Sequence, residues 1–242
     1  MQGTLIDDKK FLPLPGSIEF LKYLNEKKIP FVLITNNTKR PSEKFKKYLR
    51  ELGFEFDNYL DPLMVLSEYL KDEKIAAYGS DAFLQILKRK KYELNYKNPQ
   101  SVVLGIKLYS NDEFSEIIEF LLKGSKLISM HETSIYSYNG KRYPGLGAVS
   151  RMLKYATECE YVTVGKPSLS FFEKAKSILN LNYDKITIIS DDNKGDLLPA
   201  KKLGMKTVLV LSGKIKNRCE IKKEPDKIYE NLEEILKEWK KN

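Results

Sequence analysis

The chain holds a single histidine, His131. That scarcity argues against a histidine-ligated zinc site, and any Ser-His-Asp arrangement would have to use this one residue. Cysteine is almost as rare: Cys159 and Cys219 stand alone, with no paired spacing. They supply neither a disulfide framework nor a zinc knuckle, and a reducing, cytoplasmic compartment is expected. No apolar run approaches the ~18 residues that mark a membrane-spanning helix. Near the amino terminus, GTLIDDKK carries acid where a signal peptide would be apolar, so no targeting segment is expected. Any chemistry must therefore come from carboxylates, hydroxyls, amides and lysine.

Charge is not lacking. Forty-two basic residues face 33 acidic ones, a formal balance of +9. The lysines are scattered over expected helix faces (Lys44, Lys46 and Lys47; Lys88, Lys90 and Lys91; Lys201 and Lys202), and no basic motif is interleaved with aromatics. A solvated lysine-rich surface is expected, with no nucleic acid and no membrane as partner. A positive field of this kind helps recruit a small anionic substrate.

Strand and helix patterns alternate along all 242 residues, which predicts an α/β fold with a mostly parallel sheet. Ser17 is a candidate helix cap, followed by Ile18, Phe20, Leu21 and Leu24 at helical spacing. Ile29–Ile34 reads as a buried strand that delivers Thr35, Asn36, Asn37 and Thr38 at its carboxyl end. Those residues suit either a phosphoryl cradle or a plain turn and helix cap. Tyr161–Val164 is a further strand, followed by Gly165, Lys166, Pro167 and Ser168. Lys166 suits either a phosphate point charge or an ordinary surface position.

The most informative stretch is KITIISDDNKGDLLPAKKLGMKTVLVLSG, residues 185–213. Ile186–Ile189 is a short apolar strand, and Ser190, Asp191 and Asp192 follow it, with Asp196 five residues after Asp191. Leu197–Leu203 predicts a helix, and Thr207–Leu211 a second strand. Carboxylates beyond a parallel strand's carboxyl end fit a hard divalent cation. They fit a solvated turn and a helix cap equally well.

Taken together, GTL at the start, ITNNTKR at 34–40, GKPS at 165–168 and SDDNKGD at 190–196 resemble the haloacid dehalogenase-like (HAD) hydrolases, in particular their class IIA, NagD-like and p-nitrophenyl phosphatase-like branch. The resemblance implies a Rossmann-like parallel-sheet core, residues 1–74 and 161–242, with an inserted α/β cap domain at 75–160. It implies Mg²⁺ as cofactor and small phosphomonoesters as substrates. It implies Thr35, Lys166 and Asp196 in catalytic roles. Gly3, Thr4, Asn36, Asn37 and Lys166 would bind substrate, and Asp191, Asp196 and Gln2 would lie at the metal. It also allows a homodimer formed through the cap.

The chain departs from the family's first motif, D-x-D-G-T. Here Met1, Gln2, Gly3 and Thr4 stand in its place. The position of the attacking aspartate falls ahead of Met1, together with the central first strand, and Gln2 occupies the acid/base position. Two expectations follow: either a start placed too late, with strand and nucleophile encoded upstream, or a shortened chain that compensates locally. The family's T-N-x-D segment of the cap is also out of register at Met130, His131, Glu132 and Thr133. The functional expectation is an impaired Mg²⁺-dependent phosphatase acting on a small phosphorylated metabolite. Its alternative is an inactive relative that binds one.

Overall fold

A computed structural model describes residues 1–70 and 73–241. The strands, in chain order, are β1 (Leu33–Ile34), β2 (Tyr59–Leu60), β3 (Ile75–Tyr78), β4 (Ser101–Leu104), β5 (Lys126–Ser129), β6 (Ile135–Tyr138), β7 (Lys141–Pro144), β8 (Tyr161–Thr163), β9 (Thr187–Ser190), β10 (Lys206–Val210) and β11 (Lys227–Tyr229). Among the described residues, these strands pair in parallel except for the β6–β7 hairpin. The α/β reading therefore holds. No described helix is long and apolar enough to cross a membrane.

The chain forms two compact units. Unit 1 comprises residues 1–35, 43–60 and 172–242. It contains the pair β1–β2 and the three-stranded set β11-β10-β9. The helix Ser17–Glu26 buries Phe20, Leu21 and Leu24, the three- and four-residue spacing of a half-buried helix. Phe45, Leu49, Phe54, Ile235 and Leu236 join the same core. Gly16, not Ser17, caps that first helix; Ser17 lies inside it and donates its hydroxyl to the Leu14 carbonyl instead. The strand expected over 29–34 pairs only at Leu33 and Ile34, because β2 offers just two residues.

Unit 2 comprises residues 36–42 and 61–171. Its four-stranded sheet has the order β3-β4-β5-β8. Every residue of β3 and β4 is buried, as expected of parallel strands covered on both faces. The helix Asn111–Leu122 carries a reciprocal cap between Ser110 and Glu113. The helix Asp81–Arg89 begins with the Ser80 hydroxyl accepting from Phe83 N–H. Ile135–Tyr138 and Lys141–Pro144 pair antiparallel as the β6–β7 hairpin.

The unit boundaries differ from those expected at 74/75 and 160/161. Tyr161–Thr163 pairs with β5, so that strand is an edge of the unit 2 sheet. Residues 61–70 likewise belong to unit 2.

Candidate functional site

Asp191 follows β9 directly, yet only 4% of it is exposed. Two remote segments wrap its carboxylate. The Thr4 hydroxyl donates to Oδ1 at 2.9 Å, and the backbone N–H of Lys214 donates to Oδ2 at 2.9 Å. Both segments reach it through glycine. A Cβ on Gly3 would lie 2.3 Å from Asp191 Oδ2, and one on Gly213 would lie 2.2 Å from it. Gly3 also has φ +72°, a left-handed conformation that suits glycine. The Ser212 hydroxyl ties the two segments together by donating to the Gly3 carbonyl at 2.8 Å.

Asp196 is buried on the turn that follows, where residues 193–197 form a short π-type turn before the helix Leu198–Lys202. The helix expected over 197–203 is thus shorter and preceded by this wider turn, a form often met at functional sites. The Ser190 hydroxyl donates to Asp196 Oδ2 at 2.7 Å and accepts from the Asp192 N–H at 3.1 Å. Asp192 accepts from the Gly195 N–H at 2.8 Å and forms an ion pair with the Lys214 ammonium. Partial burial works against the Lys214 charge, but Asp192, Asp196 and Asp191 outweigh it and raise its pKa above the usual lysine value. Asn193 is buried with its Nδ2 donated to the Lys223 carbonyl, while its Oδ1 has no partner among the described atoms.

Unit 2 holds Asn36, Asn37 and Lys166 as a second constellation. Asn36 and Lys166 bond reciprocally. Asn36 Nδ2 donates to the Lys166 carbonyl at 3.2 Å, and Lys166 N–H donates to Asn36 Oδ1 at 2.9 Å. Lys166 is buried and precedes a cis proline bond. Gly165 lies so close that a Cβ would meet Asn36 Oδ1 at 2.7 Å and the Met130 carbonyl oxygen at 2.7 Å. Asn37 donates to the Arg40 carbonyl at 2.7 Å and to Asp61 at 3.3 Å. Asp61 itself is fully buried and caps the helix Pro62–Val65. The Asn37 amide thus braces its own loop.

A further network in unit 2 centres on Glu132. Its carboxylate accepts from Arg151 at 2.7 Å, from the Tyr161 hydroxyl at 2.8 Å and from the Thr163 hydroxyl at 3.2 Å. Burial opposes its charge, yet these donors hold its pKa below the usual carboxylate range. Burial also pushes the Tyr161 phenol up to about 12.

The expected residues thus fall into two groups. Gly3, Thr4, Asp191 and Asp196 converge within unit 1, and Asn36 and Lys166 converge within unit 2. Thr35 directly follows β1 in unit 1, buried, with its N–H on the Leu60 carbonyl at 3.1 Å. Gln2 is exposed and bridges to Ile6. Lys214, Gly213 and Asn193 were not picked out in advance. The SGK that follows β10 was the available signal for the first two: a glycine and a cation just beyond a buried strand. Nothing local marked Asn193.

Two carboxylates with a neighbouring amide oxygen are the donor chemistry that a small, hard divalent cation takes. Among the described residues no group of three acids, histidines or cysteines converges. The set fits an ion such as Mg²⁺, which keeps waters and phosphate oxygens in its shell alongside one or two carboxylates.

Residues 1–93 match the family model described as haloacid dehalogenase-like hydrolase, and residues 163–235 match a second, HAD-hydrolase-like model. The haloacid dehalogenase-like hydrolase domain-containing protein 2 of Mus musculus is 27% identical over 233 residues, covering 93% of this chain and 87% of that protein. The ribonucleotide monophosphatase NagD of Escherichia coli K12 is 24% identical, covering 88% of this chain and 86% of that protein. Among solved structures, a p-nitrophenyl phosphatase from Archaeoglobus fulgidus superposes with a TM-score of 0.83 at 23% identity, covering 98% of this chain and 96% of that one. This chain belongs to the haloacid dehalogenase-like hydrolase superfamily, in its NagD-like class IIA branch, with that family's parallel-sheet α/β fold.

Proposed function

We propose that the protein is a Mg²⁺-dependent phosphatase of small phosphomonoesters whose turnover is impaired. The observation that carries this reading is the convergence of Thr4, Ser190 and the Lys214 backbone on Asp191 and Asp196 at the carboxyl end of β9. Two buried carboxylates held by fixed donors are costly unless a cation or an ionic partner repays the burial. Asp191 and Asp196 would hold the Mg²⁺, which when bound supplies charge neutralisation for phosphoryl oxygens. Lys166, fixed by Asn36 on one side and a cis proline on the other, would serve as a point charge toward an anion. Thr35, Asn36 and Asn37 would take the phosphoryl-binding role, and Gly3 and Thr4 would bind substrate. Relatives named for phosphatase activity support the reaction class.

The impairment is read from Gln2. Its amide stands two residues ahead of Thr4 and neither gives nor takes a proton near neutral pH. General acid–base help is worth about 10²–10⁴-fold, so turnover falls by that order. The same residue favours a second reading, a protein that binds a phosphorylated metabolite without hydrolysing it. On either reading the partner is a small phosphorylated metabolite in a cytoplasmic compartment, and the family resemblance allows a homodimer. Phosphate release from p-nitrophenyl phosphate tests the first reading. Slow release that needs Mg²⁺ and vanishes in Asp191→Asn supports it. Binding without release supports the second. Release unaffected by chelator and by Asp191→Asn overturns both.

A further inference from the structure

Shortly after β10 the chain reads KIKNRCEIKK, residues 214–223. This loop holds five bases, Lys214, Lys216, Arg218, Lys222 and Lys223, against one acid, Glu220. Its two isoleucines, Ile215 and Ile221, pack on the apolar core of unit 1, while all five bases are exposed. The apolar anchors alternate with the charges, so the loop is seated on the core with its cations outward.

Both ends of the loop are fastened to the acidic turn after β9. At one end the Lys214 N–H donates to Asp191 Oδ2 at 2.9 Å, and its ammonium pairs with Asp192. At the other end the Lys223 carbonyl accepts from Asn193 Nδ2 at 2.7 Å, and Asn193 is itself buried. Lys216 stands two residues from the first fastening, at most about 7 Å along the chain. Lys222 stands one residue from the second. The bases are therefore held beside Asp191 and Asp196, not scattered over the surface.

The acids nearby leave these charges unbalanced. Glu220 is taken up within the loop, where its Oε1 accepts from the N–H groups of Lys216 and Asn217 at 3.3 and 3.1 Å. Of the acids just beyond, Glu224 is exposed and Asp226 is held by Lys201 at 2.6 Å and the Thr207 hydroxyl at 2.8 Å. Among the described residues no ion pair involves Lys216, Arg218, Lys222 or Lys223. Other lysines of unit 1 do have carboxylate partners: Lys46 with Glu43, Lys176 with Glu173 and Lys237 with Glu233. A single phosphoryl group on Mg²⁺ leaves the loop's cations unanswered. A second anionic group on the same molecule answers them through charge-assisted hydrogen bonds, at a range that salt screens only in part.

We infer that residues 214–223 form a second anion subsite, which takes a second phosphate group carried by the same small molecule. The substrate class narrows to metabolites with two separated phosphates. The inference rests on the reading of Asp191 and Asp196 as the Mg²⁺ site that meets the first group.

The test titrates hexylphosphonate and hexane-1,6-diphosphonate into the Mg²⁺-loaded full chain by calorimetry. Their C–P bonds are not hydrolysed by a phosphatase, so binding alone is read. Three proteins are compared: the parent, the loop variant K216Q/R218Q/K222Q/K223Q, and a control variant K88Q/R89Q/K90Q/K91Q. The control loses the same charge from an exposed helix end in unit 2. In the parent the diphosphonate is expected to bind at least about tenfold tighter than the monophosphonate, the gain of one or two charge-assisted hydrogen bonds. In the loop variant that ratio is expected to fall to about twofold, the statistical factor for two equivalent ends, with the monophosphonate nearly unchanged. The control is expected to keep the parent's ratio. A parent ratio near two, a ratio kept by the loop variant, or an equal loss in the control would overturn the inference and leave monophosphonate binding, and with it the proposed function, intact. No binding of either phosphonate by the Mg²⁺-loaded parent would overturn both. A short oligothymidine that binds tighter than the diphosphonate, and loses that affinity in the loop variant, would assign the loop to nucleic acid and also overturn the inference.

Discussion

Thr4 donates its hydroxyl to Asp191 across 187 positions of sequence, at 2.9 Å and out of contact with water. That bond joins the two ends of unit 1 at the point where the acidic loop leaves β9. Thr4→Val keeps the shape and removes the donor. A hydrogen bond to a buried charged group is worth about 1.5–3 kcal/mol, so urea unfolding is expected to show a loss of that order. Thr4→Ser, which keeps the hydroxyl, is expected to recover most of it.

Gly213 has a different kind of necessity. Its backbone takes no unusual φ, but a Cβ there would lie 2.2 Å from Asp191 Oδ2 and 2.5 Å from its Cγ. Gly213→Ala is expected to push the carboxylate aside and to cost about 1–3 kcal/mol, as overpacking does. Mg²⁺ affinity is expected to fall with it. Gly124→Ala is the contrast. Gly124 has a positive φ of +96° but nothing within 4 Å, so its substitution is expected to lower stability and leave Mg²⁺ affinity unchanged. Calorimetric titration of both variants checks the pair.

Lys214 places its own positive charge beside Asp192, with Asp196 and Asp191 near enough to be felt. A divalent ion approaching Asp191 and Asp196 meets that charge as repulsion. Lys214→Met is expected to tighten Mg²⁺ binding several-fold, most clearly at low salt, where the repulsion is least screened. Weaker binding by the variant would mean that the ammonium helps to build the site.

Glu132 sets the expected pH dependence of unit 2. Its folded pKa lies below the unfolded value, despite burial, because Arg151, Tyr161 and Thr163 bond the charged form. The sign follows directly: the stabilisation is present above the unfolded glutamate pKa of about 4.3. It is lost as pH falls through the folded pKa. Stability measured by denaturant between pH 7 and pH 3 is expected to fall at the acid end. Glu132→Gln is expected to start lower at pH 7 and to show a shallower acid slope.

Much of this arrangement is legible in the sequence, and the exceptions have physical causes. The β-branched run at 186–189 and the acids behind it identify β9 and its loop, because β-branched residues favour strands. The two shortest strands that went unread, Tyr59–Leu60 and Lys227–Tyr229, are too brief for any period to show. β8 read correctly as a strand, and it pairs within unit 2. Its register with Leu127, Ile128 and Ser129 is a long-range pairing that its own residues do not encode. Ser17 looked like a cap because serine favours that role, but Gly16 in a left-handed conformation starts the helix instead. Lys214 was one lysine among many; only its position opposite Asp192 distinguishes it.

The central claim is that Asp191 and Asp196 form a divalent-cation site that serves a phosphoryl group. Calorimetric titration of Mg²⁺ into the full chain, with and without inorganic phosphate, tests it most directly. The expected result is one Mg²⁺ per chain, tighter when phosphate is present, with binding at least tenfold weaker in a folded Asp191→Asn variant. Equal Mg²⁺ affinity in the parent and in Asp191→Asn would contradict it.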